Sequence, residues 1–212
     1  VATHEIVIAG FGGQGVLFLG EILAHAAVHD GHQVTWLPSY GPEQRGGTAH
    51  CTVVISDRPI ASPVVADPTI LVACNRPSLD RFEPAVRPGG LIVCDLTMTE
   101  RTPVRTDVQA VAVPATAIAA DLGMARAANV VVLGALLAAR PVLSETGVRK
   151  ALAERVRDQE ARARNEEALE RGAREVLQPA RPVQAVPEHW APPRPSAGPP
   201  VPPGGMRRKR RW

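Results

Sequence analysis

The stretch Glu5-Ile6-Val7-Ile8-Ala9-Gly10-Phe11-Gly12-Gly13-Gln14-Gly15-Val16 decides the fold. It opens with a short apolar run ending in glycine, the pattern of a strand buried on both faces of a parallel sheet. Gly10, Gly12 and Gly15 then complete Gly-x-Gly-x-x-Gly directly after that strand and at the start of a helix. Between residues 13 and 29, Val16, Leu19, Leu23, Ala26 and Ala27 recur at helical spacing and form an inward stripe. Asp30 and Gly31 close the helix. Residues 33–37 read as a second strand, which predicts a right-handed strand–helix–strand unit.

Working outward, residues 38–47 form a loop rich in Ser, Gly, Pro and charge, and 50–56 return to β-branched strand composition. Short apolar runs at 69–74, 91–95 and 108–113 predict further strands. Helices are expected over 77–86, 115–121 and 125–139, and helical composition, broken only by Gly172, runs from 145 to 177. This alternation predicts an α/β fold, a Rossmann-like, doubly wound, mostly parallel sheet with helices on both faces. The expected domain is 1–178. Residues 179–212 hold ten prolines and end in Arg207-Arg208-Lys209-Arg210-Arg211-Trp212, a composition that predicts a disordered tail.

The length of 212 residues suits one such domain, and a 45% hydrophobic content with only 3% aromatics predicts an aliphatic core. The net charge of +3 is unevenly placed: the tail has seven basic residues against Glu188, so it carries +6 and residues 1–178 carry −3. The basic balance therefore describes the tail and is no nucleic-acid footprint on the domain. For the terminal cluster we expect a solvated tail or a subunit contact. Cys51, Cys74 and Cys94 stand singly in apolar runs, without Cys-x-x-Cys or histidines at ligand spacing. No metal site is expected. The three read as small buried hydrophobes, and an iron–sulfur cluster, which needs about four thiolates, belongs on another chain. With no apolar run of about 18 residues and no export signal, a cytoplasmic protein without membrane contact is expected.

Physically, the glycine turn lets the free N–H groups of a helix terminus face an anion, so a phosphate or pyrophosphate fits there. The same glycines also serve a tight turn and close helix–sheet packing, and both readings stay open. A dinucleotide site further wants an acid at the end of the second strand. Here that strand ends Trp36-Leu37-Pro38-Ser39. Asp30 lies before it and Glu43 well into the loop. In that loop Arg45 is a planar donor suited to carboxylate or phosphate, Tyr40 offers a ring and a hydroxyl, and Gly46 and Gly47 permit close backbone approach. The loop is expected at the carboxyl edge of the sheet beside the glycine turn. A subunit interface or internal salt bridge is the other reading of Tyr40, Glu43 and Arg45, and Gln14 either donates to a ligand or caps the helix. The six scattered histidines single out none as catalytic.

Gly10-Phe11-Gly12-Gly13-Gln14-Gly15-Val16, together with Tyr40-Gly41-Pro42-Glu43-Gln44-Arg45-Gly46-Gly47, resembles the gamma component of the pyruvate, 2-oxoglutarate, 2-oxoisovalerate and indolepyruvate ferredoxin oxidoreductases. Asn129 to Gly134 and Asn165 to Gly172 match as well, and the resemblance spans about residues 4–174. It implies a non-autonomous subunit of an enzyme that decarboxylates a 2-oxoacid to acyl-coenzyme A and passes electrons to ferredoxin. Thiamine diphosphate with its magnesium and the iron–sulfur clusters would sit on partner subunits, the alpha and beta components carrying the thiamine. Coenzyme A would occupy a shared site. The resulting binding residues are Gly12, Gly13, Gln14, Gly15, Tyr40, Arg45, Gly46 and Gly47, with no catalytic residue on this chain. The rival readings are a stand-alone NAD(P)-dependent oxidoreductase and a non-catalytic structural or regulatory binding protein.

Overall fold

A computed structural model describes residues 3–40 and 47–177, with Tyr40 described by its backbone alone. The elements alternate as the apolar runs require: β1 (Thr3–Phe11), α1 (Val16–His29), β2 (Gln33–Tyr40), β3 (Thr48–Ser56), β4 (Ile70–Ala73), α2 (Arg76–Phe82), β5 (Leu91–Asp95), α3 (Leu96–Thr99), β6 (Gln109–Val113), α4 (Ala115–Asp121), α5 (Ala128–Ala139), α6 (Glu145–Arg155) and α7 (Gln159–Leu177). Single 3-10 turns at Glu83–Ala85 and Ala125–Ala127 follow α2 and precede α5. The tail from Pro179 lies outside the described residues.

The strands form one sheet in the order β2-β3-β1-β4-β5-β6. The α/β class and the helical layers stand as expected, but the pairing around the first helix does not. β1 and β2 are not neighbours: β3 lies between them, antiparallel to both. Parallel pairing holds for β1–β4, β4–β5 and β5–β6. The sheet is therefore mixed, for a reason of chain length. Tyr40 pairs with Ala49, and so short a connection closes an antiparallel hairpin but not a parallel crossover. β2 also runs through Pro38 to Tyr40 instead of ending at Leu37. It is an edge strand, where a residue lacking an N–H is tolerated.

The central strands are buried on both faces with period-two alternation. Ile6, Ile8, Ile70, Val72, Leu91 and Val93 face the core beneath α1 and α5, while Val7, Ala9, Leu71, Ala73, Ile92 and Cys94 pack with Leu79 and Val86 on the α2 side. Burial is deepest in α5, where every residue from Asn129 to Leu136 is inside. That explains its lack of a polar face, since α7 covers what the sheet does not. The helical break in the last third falls at residues 156–158 and not at Gly172. Gly172 sits inside α7 because a Cβ there would overlap the carbonyl of Val131, and one at Gly134 of α5 would overlap that of Leu169. The two glycines set how closely the helix backbones cross.

Gly134→Ala and Gly172→Ala should each lower the thermal midpoint. Overpacking costs about 1–3 kcal/mol, which is about 2–4 °C per kcal/mol at this chain length. Either one separates the helices, so the double variant should lose less than the sum. Thermal denaturation of the three variants checks this, and fully additive losses would contradict the shared crossing.

Candidate functional site

β1 ends at Phe11 and the chain turns through Gly12–Gly15 into α1. Gly13 and Gly15 adopt φ values of 100° and 73°, in the left-handed region open to glycine. The turn is held from three sides. On the first, the Gly12 amide donates to the Gly47 carbonyl at 3.0 Å, so the end of the hairpin connection lies against the turn. On the second, Asn129, only 5% exposed at the start of α5, donates through Nδ2 to the Gly15 carbonyl at 3.2 Å. A Cβ on Gly15 would overlap that amide.

On the third side stands Gln14. Its Oε1 accepts from the Phe11 amide at 2.7 Å and from Asn75 Nδ2 at 2.8 Å, while its Nε2 donates to the Cys74 carbonyl at 2.9 Å. Asn75 in turn caps α2, accepting from the Ser78 amide at 2.9 Å. The side chain thus ties the carboxyl ends of β1 and β4, where the strand order reverses direction. It neither caps α1 nor points freely at a ligand.

No side chain caps α1 and its first turn carries no acid, so the leading N–H groups are left for water or a ligand. Above them lies an open cleft of about 530 Å³, lined by Gly13, Gly15 and Phe18, by the segment Gly123 to Ala127, and by Asn129, Val130 and Asn165. That volume is typical of a small-molecule site. Arg126 projects from an exposed position and has no acidic partner among the described residues. It is the single charge between Leu122 and Ala139.

The structure therefore brings together Gly12, Gly13, Gly15 and Gly47, and turns Gln14 inward as a brace. Tyr40 ends β2 at the same carboxyl edge, while Arg45 and Gly46, with Glu43, lie outside the described residues. The residues that sequence reasoning missed are Phe18 and Arg126, and Asn165 entered only as the start of a matching segment. A lone arginine in a long uncharged stretch was the available signal for Arg126. Asn129, whose sequence position before an apolar helix reads as a structural hydrogen bond, makes that bond to Gly15 and also lines the cleft.

Asp30 does not serve a ribose. Its carboxylate accepts from the Ser144 amide at 2.6 Å and from the Ser144 hydroxyl, anchoring the start of α6 at the opposite end of α1. β3 also sets the end of β2 two strand spacings from β1, about 10 Å, where a dinucleotide fold has one. The three cysteines are free and buried. Burial pushes the Cys74 thiol up to about 12, and the Cys51 and Cys94 thiols up to about 11. They are protonated, inert hydrophobes. Among the described residues no group of three or more His, Cys, Asp or Glu is placed to hold a metal ion, and no helix is long and apolar enough to cross a membrane.

Fold and site together define an α/β domain whose carboxyl edge carries an uncapped glycine turn. The chain belongs to the pyruvate ferredoxin/flavodoxin oxidoreductase family, whose pattern matches residues 5–175. It is 50% identical over 134 residues to the ketoisovalerate oxidoreductase subunit VorA of Methanothermobacter marburgensis, covering 63% of this chain but only 28% of that protein. It is 38% identical over 156 residues to the 2-oxoglutarate synthase subunit KorC of Methanocaldococcus jannaschii, covering 72% of this chain and 83% of the relative. Among solved structures, the gamma subunit of a keto/oxoacid ferredoxin oxidoreductase from Geobacter sulfurreducens superposes with a TM-score of 0.74 at 31% identity, covering 84% of this chain and 98% of that one. A 2-oxoglutarate:ferredoxin oxidoreductase from Magnetococcus marinus, solved with 2-oxoglutarate, coenzyme A and succinyl-CoA, shares the fold with a TM-score of 0.77 at 24% identity over 84% of this chain and 31% of that one. The chain is thus of the gamma type.

Two outcomes follow from this geometry. Gln14→Ala strips partners from the Phe11 amide, the Cys74 carbonyl and the Asn75 amide, at about 1–3 kcal/mol for each group left unsatisfied. Denaturant unfolding should show a loss of several kcal/mol, and a change under 1 kcal/mol would deny Gln14 its bracing role. The raised thiols stabilise the fold fully below their unfolded value of 9.0, and that contribution falls away between pH 9 and about 12 as the unfolded chain ionises first. At pH 8 iodoacetamide should therefore label all three only at the rate of unfolding, and rapid labelling of the native chain would contradict their burial.

Proposed function

We propose that the chain is the gamma-type subunit of a multi-subunit 2-oxoacid:ferredoxin oxidoreductase, contributing the coenzyme A side of the site and docking to the thiamine-bearing subunits. Ferredoxin is the electron acceptor of the whole assembly, in the cytoplasm. The observation that carries this reading is the cleft over the uncapped glycine turn, with Arg126 at its rim.

Coenzyme A presents phosphate and pyrophosphate groups on a long flexible body. The leading N–H groups of α1 and the Arg126 guanidinium supply donors and positive charge for one of those groups. Gly13, with nothing within 4 Å of where a Cβ would stand, leaves the approach open. Phe18 and Met124 offer apolar surface, and Asn165 a further polar contact. Asn129 and Gln14 act behind the turn, holding its backbone in the conformation that presents those N–H groups. On this reading Tyr40, Arg45 and Gly46 complete the site or its contact with a neighbouring subunit.

The chain's own residues perform no bond-breaking step. Its thiols are buried and spread over the sheet, so they do not suit a cluster, and oxidation of the 2-oxoacid is assigned to the partner chains. The effect of this subunit is on where coenzyme A lies and how firmly it is held.

In the assembled enzyme, Arg126→Gln should raise the KM for coenzyme A by about 10- to 100-fold, the worth of a hydrogen bond to a charged group, while the KM for the 2-oxoacid stays put. Steady-state reduction of a viologen dye measures both. Native purification comes first: a chain recovered alone, without 2-oxoacid- and coenzyme A-dependent dye reduction, would sink the proposal. An unchanged KM in an active complex would remove Arg126 from the site. Arg45→Ala should likewise weaken coenzyme A use or assembly.

A further inference from the structure

The glycine turn has a second flank. On the α2 side of the sheet, a depression of about 30 Å³ opens at the same carboxyl edge, lined by Gly10, Thr48, His50, Ser78, Arg81 and Phe82 among others. Thr48 and His50 share this face because β3 places them opposite Phe11 and Ala9, and Ala9 packs in the α2-side core. Ser78 and Arg81 come one turn apart on α2. Four residues that carry hydrogen-bonding side chains thus line one small space from two elements.

The Arg76, Arg87, Arg101, Arg105 and Arg149 side chains all meet carboxylates, yet Arg81 meets none among the described residues. Its guanidinium instead lies 5.0 Å from the centre of the Phe82 ring, whose centre is 5.4 Å from that of His50. Phe82 therefore lies against both groups. Burial, and then the charge of Arg81, hold His50 below the ordinary imidazole value, so near neutral pH it is an uncharged ring able to donate one hydrogen bond. The hydroxyls of Ser78 and Thr48 make no side-chain hydrogen bond among the described residues. The space is far too small for a nucleotide and suits a group of two or three heavy atoms.

We propose that His50, Ser78 and Arg81, with Thr48 at the rim, form a carboxylate-binding pocket distinct from the cleft over the glycine turn. The guanidinium supplies the charge and planar donors that match a carboxylate, and the imidazole and Ser78 hydroxyl supply neutral donors at its sides. The carboxylate comes either from a small organic acid or from an Asp or Glu side chain of a docked chain; the chemistry recognised is the same. This assignment stands independently of the coenzyme A reading, since it uses other residues on the other face of the sheet.

The test is NMR titration of the full-length chain with sodium acetate and sodium succinate at constant ionic strength, following the His50 imidazole, assigned with His50→Gln. Sodium chloride serves as the non-carboxylate control. Saturable movement of the His50 signal is expected, with its pKa rising as the anion binds. Arg81→Gln, a change at an exposed position, should weaken the response at least about tenfold, and Ser78→Ala should weaken it severalfold. Repeating the titration in the assembled complex separates the two sources: a response that survives identifies a pocket for free acids, and one that vanishes identifies a docked side chain. No saturable response beyond chloride, or an equal response in Arg81→Gln, would overturn the pocket.

Discussion

The carboxamide of Gln14 is the interaction on which the rest of the site depends. A glycine turn has little conformational preference of its own, and two of its residues sit at positive φ with no side chain to hold them. Gln14 removes that freedom by satisfying a β1 amide, the carbonyl after β4 and the amide of the α2 cap at once. It also fills the place where the sheet reverses direction, a place that an open α/β fold leaves as a crevice. The open spaces at this edge therefore lie outward from the sheet, over the helix terminus on one side and beside α2 on the other.

The same logic continues one layer out. Asn129 fixes Gly15 from α5, and α5 is itself fixed by the glycine-to-carbonyl crossing with α7. The chain has three successive levels of support: sheet to turn, turn to α5, α5 to α7. Each uses an amide or a missing side chain where bulk would separate the elements. This accounts for an α7 that is largely polar yet packed closely along α5. It contributes Asn165 to the cleft at one point and Gly172 to the crossing at another. A domain so braced suits a subunit that positions a ligand for chemistry done elsewhere, since a placement error of an ångström is costly in a shared site.

What the family relationship adds is consistent with how the charges lie. The described surface is rich in Arg–carboxylate pairs, and exposed pairs of that kind contribute little to stability. Among the arginines that meet no carboxylate in the described residues, Arg81 and Arg126 are the ones that lie beside the two flanks of the glycine turn. In a sequence Arg81 looks like every other arginine, while Arg126 stands alone in an uncharged stretch.

By itself the sequence determined the element types, the aliphatic core, the turn after β1 and the family, because these rest on local periodicity and on residues adjacent in the chain. The absence of an acid after β2 was equally legible, and with it the weakness of a dinucleotide reading. Only the tertiary structure decided that β3 enters between β1 and β2, that Gln14 looks inward, that Asp30 serves α6, and that Arg126 and Asn165 reach the turn. Those facts join residues up to about 150 positions apart, and no spacing rule reaches across such separations. The short hairpin connection did hold the clue to β3, since too few residues separate β2 from β3 for a crossover. The glycine at 172 shows the limit from the other side. In the sequence it reads as a helix breaker, and only packing against Val131 reveals it as the point where two helices touch.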